Sequence, residues 1–429
     1  MSDSVAMTQL EVPDYDLGLR GKLVRYEKTR GTSSLAFCTI IYGLSLADDV
    51  TDTPLSNAAN GYPDAALIPD ESTRVPLPWR CGTDAVIADL AGADGVPLAV
   101  SPRAVLQSLI RRYADLDLDP ILGYEYEMWI FDRTPGSHGV FEGHTPHGRA
   151  ENAYSLSRCA ETSSIALEFT NRMQQVDIEI EAFHSELGPG FFEFTLAPAP
   201  AVRAADNAVR ARQYLRDLCH ERGLHASFMA KPFADKSGAG GHVHSSLNRD
   251  GTNVFADDAH TLSAEGRNYL AGLVCAMPDL ALLLNPYVNS YKRIDPEMFT
   301  AARATWGHDD RSTACRVLLA DRTSARVEHR RPGADANPYI VAAALLAGGL
   351  HGLQNHLPLP DETLEADLLP ADLGSALTRF ERSPLVADLL GPLFCSSFAA
   401  TRRAELAAYE KWLYRTITTW ELSRHLEHQ

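Results

Sequence analysis

The segment Gly123-Tyr124-Glu125-Tyr126-Glu127-Met128-Trp129-Ile130-Phe131 (GYEYEMWIF) reads as a strand with a conflict built into it. Its aromatic and β-branched residues favour a half-buried extended chain. In such a chain Glu125 and Glu127 project to one face, roughly 7 Å apart. Two carboxylates side by side, followed by an apolar run, repel each other and lose hydration on partial burial. Something must neutralise them.

Three further segments repeat the conflict. His184-Ser185-Glu186-Leu187-Gly188-Pro189-Gly190-Phe191-Phe192-Glu193-Phe194 sets Glu193 among aromatics, and its Gly-Pro-Gly turn brings Glu193 back toward Glu186. Gly238-Ala239-Gly240-Gly241-His242-Val243-His244-Ser245-Ser246 follows a glycine-rich loop with two imidazoles on one strand face. Arg326-Val327-Glu328-His329-Arg330 begins by alternating charged and apolar residues. Each has a plainer reading on its own: a solvated glutamate, a surface histidine pair, a loop too short to be diagnostic. Recurrence argues against those readings. Oxygen-rich donors with one nitrogen suit Mg²⁺ or Mn²⁺ better than zinc, which prefers more Cys or His.

A basic constellation lies between Asn289 and Pro332: Lys292, Arg293, Arg303, Arg311, Arg316, Arg322, Arg326, Arg330 and Arg331. A solvated or interface face would account for it, but in a chain of net charge −17 it also makes a local anion site. Arginine binds carboxylates in a bidentate geometry that lysine cannot match. Carboxylate-held metals beside fixed guanidiniums are the parts that clamp a transferring phosphoryl group. The residues predict a metal-dependent, phosphate-handling enzyme with an acidic co-substrate.

The chain of 429 residues is long enough for two or three domains, and 45% apolar with 22% charged residues is ordinary globular composition. Net charge −17 gives no support to a nucleic-acid or anionic-membrane partner. Seven cysteines without CxxC spacing predict reduced thiols in a cytoplasm. The opening MSDSVAMTQLEVPDY lacks the basic and apolar regions of a signal peptide, and the longest apolar run, Ile340 to Leu350, is too short to span a bilayer. Residues 1–12 read as a flexible tail, 13–101 as a small sheet-rich domain and 102–429 as a larger mixed domain, so the fold class is α+β. Helices are expected over Ala201–Arg222, over Leu270–Leu284 with an interruption or kink at Pro278, and over Ala399–Leu426.

From VPLPW at residue 75 to the C-terminal region, these segments in this order resemble the type I glutamine synthetase family. The likeness rests on ExE, HxExGPGxxE, GxGxHxHxS, NPYVNSYKR, WGxDxRxxxxR and RxExRxPxxxANPY. It implies an N-terminal β-grasp domain, a glutamine synthetase-type catalytic domain and a double-ring dodecamer with active sites between neighbouring subunits. It further implies that Glu127, Glu186 and Glu193 hold one Mg²⁺ or Mn²⁺, and that Glu125, His242 and Glu328 hold the other. Arg293 and Arg330 resemble the arginines on the glutamate carboxylate, with Gly238 on the substrate loop. Arg311, Arg316 and Arg326 resemble those around the ATP phosphates, Arg311 as the catalytic one, with His244 and Ser246 also in the nucleotide region. In the family, ATP phosphorylates the glutamate side chain and an amine attacks the acyl phosphate.

The likeness departs at the ammonium pocket. The family's acidic flap residue lies six positions after the arginine of NSYKR, where this chain has Phe299, with Glu297 two residues before it. An aspartate of the N-terminal domain is matched by Tyr42, and Ser237 stands where an asparagine is usual. Losing two anionic groups removes contacts worth roughly 1.5–3 kcal/mol each to a compact cation. Aromatic replacements suit a larger, partly apolar amine. The expected reaction is therefore ATP-dependent joining of glutamate to an organic primary amine, a monoamine before a polyamine. The alternatives are a glutamine synthetase using Glu297 and ammonia, a γ-glutamylpolyamine synthetase, and a non-catalytic family member.

Overall fold

In the computed structural model, which describes residues 6–30, 35–133, 144–148, 152–257, 261–362 and 366–427, the chain builds two sheets. The first contains β1 (Met7–Pro13), β2 (Leu19–Arg25), β3 (Ala36–Cys38), β4 (Asp64–Pro69), β5 (Val75–Pro76) and β6 (Thr83–Ala91). Its order is β2-β1-β6-β4-β3, with β5 against β6. The tail expected over residues 1–12 is corrected here. Residues 7–12 belong to β1, which runs parallel to β6 with Leu10 and Val12 fully buried. The alternation of Thr8, Leu10 and Val12 is the strand period that the polar neighbours obscured.

The second sheet has eleven strands: β7 (Asp119–Arg133), β8 (His144–Pro146), β9 (Ile180–Ser185), β10 (Phe191–Leu196), β11 (Ala199–Pro200), β12 (Leu224–Ser227), β13 (Gly241–Arg249), β14 (Thr252–Asn253), β15 (Trp306–His308), β16 (Cys315–Leu318) and β17 (Arg326–His329). Its main path is β15-β16-β17-β13-β7-β10-β9. The fifteen-residue β7 is the hub, pairing with β8, β10, β11, β12 and β13. One face of β7 is sealed. Tyr124, Tyr126 and Met128 are buried, and the two tyrosine rings stack 5.8 Å apart. Arg212 of the helix Ala201–Glu221 lies 5.1 Å over the Tyr126 ring. By the period of two, Glu125 and Glu127 take the other face.

Behind the sheet, the helix Ala264–Leu284 packs on Pro338–Gln354. A Cβ at Gly272 would meet the Gly348 carbonyl oxygen at 2.1 Å, so the backbones touch where no side chain fits. Ala264–Leu284 is long and apolar enough in composition to cross a bilayer, but 72% of its most apolar window is buried inside the protein. Pro278 lies within this helix without ending it. The C-terminal helix expected over Ala399–Leu426 is instead two: Pro392–Arg415, then Thr419–His425 opened by a capping box from Thr418 and Glu421.

Buried ion pairs tie the first sheet to the rest. Arg103, at the start of the helix Pro102–Ala114, reaches Asp70 and Asp89 at 2.7 Å and Asp206 at 3.0 Å. Glu11 of β1 accepts from Arg210 and from the Tyr214 hydroxyl, both at 2.7 Å. Arg103→Ala leaves Asp89 and Asp206 buried without their cation, and the expected loss is about 3–5 kcal/mol. The midpoint of denaturant unfolding measures it, and a shift below about 1 kcal/mol, the range of a surface pair, contradicts this reading.

Candidate active site

Sheet register assembles the site. Glu127 stands opposite Glu193 across β7 and β10, and Glu193 opposite His184 across β10 and β9. Glu125 stands opposite His242 across β7 and β13. His244 then pairs with Glu328 of β17, and Glu328 with Arg316 of β16. Glu125 and Glu328, more than 200 positions apart in sequence, thus share one sheet face through the strand between them, β13. Glu186 joins them from the β9–β10 turn, where its N–H donates to the Phe191 carbonyl at 2.8 Å and Gly188 and Gly190 take positive φ.

A cavity of about 520 Å³ opens over this row. Its lining includes eleven expected residues: Glu125, Glu127, Glu186, Glu193, His242, Glu328, Gly238, Arg293, Arg311, Arg316 and Arg330. Phe299 lines it too, at positive φ (58°) beside Met298, whereas Glu297 does not. Arg326 and His244 lie just outside the lining and touch it through a relay. Arg326 Nε donates to His244 Nδ1 at 3.0 Å, which leaves His244 Nε2 to donate to Glu125 Oε1 at 2.8 Å. Ser246 follows on the same face of β13 but does not reach the cavity. Tyr42 is a correction. It is 1% exposed and packed against Tyr15 in the interior, 5.5 Å between rings, so it offers no face to an amine.

Two residues escaped the sequence reading. His184 Nε2 lies 3.1 Å from Glu186 Oε1 and 3.4 Å from Glu193 Oε1. Its spacing of two from Glu186 was the available signal. Tyr154, at φ 60°, stacks on His184 and donates its hydroxyl to Glu186 Oε1 at 2.7 Å. It comes from 32 positions away, with no local pattern to announce it.

Two sets of donor atoms gather within 4.8 Å: Glu125, His244 and Glu328, and His184, Glu186 and Glu193. His242 Nδ1 sits 3.5 Å from Glu328 and 3.8 Å from Glu125, beside the first set. Glu127 is held at the second end by the Gly240 N–H, 2.5 Å from Oε2. Gly240 has no room for a side chain, since a Cβ would meet His242 Nε2 at 2.5 Å. Mostly carboxylate donors of this kind fit a hard divalent cation.

The electrostatics agree. Burial, then the charges of Glu125, Glu127, Glu186 and Glu328, push the Glu193 carboxyl up to about 9. Burial alone would raise Glu125, but hydrogen bonds from His242 and His244 outweigh it and hold that carboxyl far below its usual range. Glu186 is likewise lowered, against burial, by His184 and Tyr154. Five acids share one cleft, and burial together with the charges of the other four shifts Glu193 toward its protonated form.

The sign of the resulting pH dependence is fixed. A carboxyl at about 4.5 in the unfolded chain and about 9 in the folded one contributes stability that is complete below the lower value and is lost as pH rises through the upper one. Thermal unfolding in chelator should therefore show the melting temperature falling between pH 6 and 9. Mg²⁺ should restore it by a larger increment at pH 9 than at pH 6, with about one proton released per site at pH 7. A Mg²⁺ increment independent of pH contradicts this account.

Comparison with known proteins follows the same line. Residues 99–425 match the family described as glutamine synthetase, catalytic domain. The chain is 32% identical to the glutamate–isopropylamine ligase of Pseudomonas sp over 98% of its length and 94% of that protein's. It is 31% identical to type-1 glutamine synthetase 2 of Dictyostelium discoideum over 96% of its length and 82% of that protein's. A solved structure of GmaS with ADP superimposes with a TM-score of 0.83 at 26% identity, covering 98% of this chain and 97% of that one. With the two donor sets and the arginine-lined cavity already in place, the match of residues 99–425 shows that this chain belongs to the glutamine synthetase family.

Proposed function

We propose that this chain is an ATP-dependent ligase that joins the γ-carboxyl of L-glutamate to an organic primary amine, through γ-glutamyl phosphate and with release of ADP and phosphate. Arg293 and Arg330 hold glutamate carboxylate, with Gly238 on the substrate loop. Arg311, Arg316 and Arg326 face the ATP phosphates, Arg311 as the catalytic group, with His244 and Ser246 on the nucleotide side. Glu127, Glu186 and Glu193 hold one Mg²⁺ or Mn²⁺, and Glu125, His242 and Glu328 another. When bound, such ions offset the charge of the transferring phosphoryl group. Arg293 fits its role by its surroundings. It is buried, it makes no ion pair among the described residues, and its Nε has no hydrogen-bond partner there.

The observation that carries the choice of acceptor is the flap. Phe299 and Met298 line the cavity while the neighbouring carboxylate of Glu297 does not. Leu187 and Tyr154 add to the apolar side, so an alkyl or aryl group has a surface to cover and ammonium has no added anion to bind. The near-full-length likeness to an isopropylamine ligase supports the same class.

In this reading residues 13–101, preceded by strand residues from Met7, form a β-grasp domain, for which the parallel β1/β6 pair is the support, and residues 102–429 form the catalytic domain. Its proposed place is the cytoplasm, in keeping with seven unpaired thiols. Homo-oligomerisation into a double-ring dodecamer is supported by the exposed Trp412, Tyr414 and Trp420 of the C-terminal helices and Ile417 between them.

Phosphate release from glutamate, ATP and Mg²⁺ against a panel of amines tests the proposal. A C2–C4 alkyl monoamine should exceed ammonium in kcat/KM by at least about tenfold, the loss of roughly one charge-assisted contact. Glu297→Ala should leave the rate with that amine within about twofold, because the side chain stands off the cavity. Ammonium as the best acceptor, together with a large loss in Glu297→Ala, makes the enzyme a glutamine synthetase instead.

A further inference from the structure

Glu328 is 1% exposed, and each of its oxygens is already taken. Oε2 accepts from Arg316 Nη1 at 3.0 Å, and Oε1 accepts from Arg330 Nη1. Both guanidiniums line the cavity. Arg316 reaches Glu328 by register, standing opposite it across β16 and β17, and is steadied by Asp309 at 2.9 Å. Arg330 is steadied by the Arg311 carbonyl at 3.2 Å. His242 Nδ1 approaches Oε1 at 3.5 Å. Arg293 differs. Its side chain meets the Arg331 carbonyl at 3.0 Å and His242 Nε2 at 3.3 Å, and it contacts no carboxylate among the described residues.

A carboxylate oxygen that receives a guanidinium N–H has less to give a cation, and a divalent ion beside it repels the guanidinium. The cation and the two arginines therefore compete for the same two atoms. We infer that Glu328 is an exchange point: a divalent cation displaces Arg316 and Arg330 from its oxygens and turns both guanidiniums over to the acidic substrates. Cation and acidic substrate then bind with positive coupling, which linkage makes reciprocal. Arg293, engaged by no carboxylate, supplies a basal affinity that needs no cation. The inference rests on the proposed function only in taking glutamate as the acidic substrate.

The test is calorimetric titration of the full chain, in EDTA and in saturating Mg²⁺, with Mn²⁺ binding measured alongside. Wild type should bind L-glutamate about tenfold more tightly with Mg²⁺, within the usual range of coupled sites. Glu328→Gln keeps the shape but releases the arginines. In EDTA it should bind glutamate about as tightly as Mg²⁺-loaded wild type, with under twofold further gain from Mg²⁺. A folded Glu328→Gln protein, by circular dichroism, that binds as weakly as wild type in EDTA overturns the inference. For Mn²⁺, Arg316→Gln should bind at least about fivefold more tightly than wild type, while Arg293→Gln, which removes a nearby charge not seated on Glu328, changes little. Equal effects of the two variants reduce the matter to general charge and also overturn it. If wild type gives no glutamate heat even with Mg²⁺, the proposed reaction fails, and the Mn²⁺ comparison alone then decides the exchange.

Discussion

Packing like charges onto one face of a buried sheet is the constraint from which the rest of this molecule follows. β7 cannot place Glu125 and Glu127 elsewhere, because its opposite face is committed to Tyr124, Tyr126 and Met128 in the core. A slip of one residue would bury both carboxylates beneath the sheet and expose the tyrosines. The neighbouring β10 and, beyond β13, β17 then add Glu193 and Glu328 rather than dilute the charge. The cost falls on Glu193, whose carboxyl is pushed up to about 9 by burial first and then by the charges of the other four glutamates.

Positive charge is distributed unequally around that row. On the β17 side Glu328 is compensated twice over, by Arg316 and Arg330. On the β9 side His184 meets both Glu186 and Glu193, and Glu186 also accepts from the Tyr154 hydroxyl and the Leu187 N–H. One end of the cleft is thus poor in positive charge and ready for a cation, whereas at the other end a cation must compete with guanidiniums. Arg293, buried beside both, is costly to hold without a counter-ion and suits an incoming carboxylate.

The four strands that build the row were legible in the sequence because each carries its signal locally: alternation, aromatic content, a turn at Gly188–Gly190 or a glycine-rich loop. Register across strands was not, and it is register that sets Glu127 against Glu193 and Arg316 against Glu328. Tyr154 was invisible for the same reason, since its contact with Glu186 is purely tertiary. Tyr42 was misjudged because a sequence match fixes position along the chain but not burial. The strand Met7–Pro13 was hidden in a polar-looking start whose alternate residues face a core that forms only when β6 arrives. At the far end, the helix expected to run unbroken to Leu426 stops where Thr418 can cap a new one.

The central claim is that the glutamates of this sheet face are neutralised by a pair of divalent ions. Anomalous scattering from crystals of the full chain grown with Mn²⁺ tests it most directly. The account predicts two peaks per active site, one among Glu127, Glu186 and Glu193 and one among Glu125, His242 and Glu328. Absence of anomalous density at both positions in Mn²⁺-saturated crystals contradicts it.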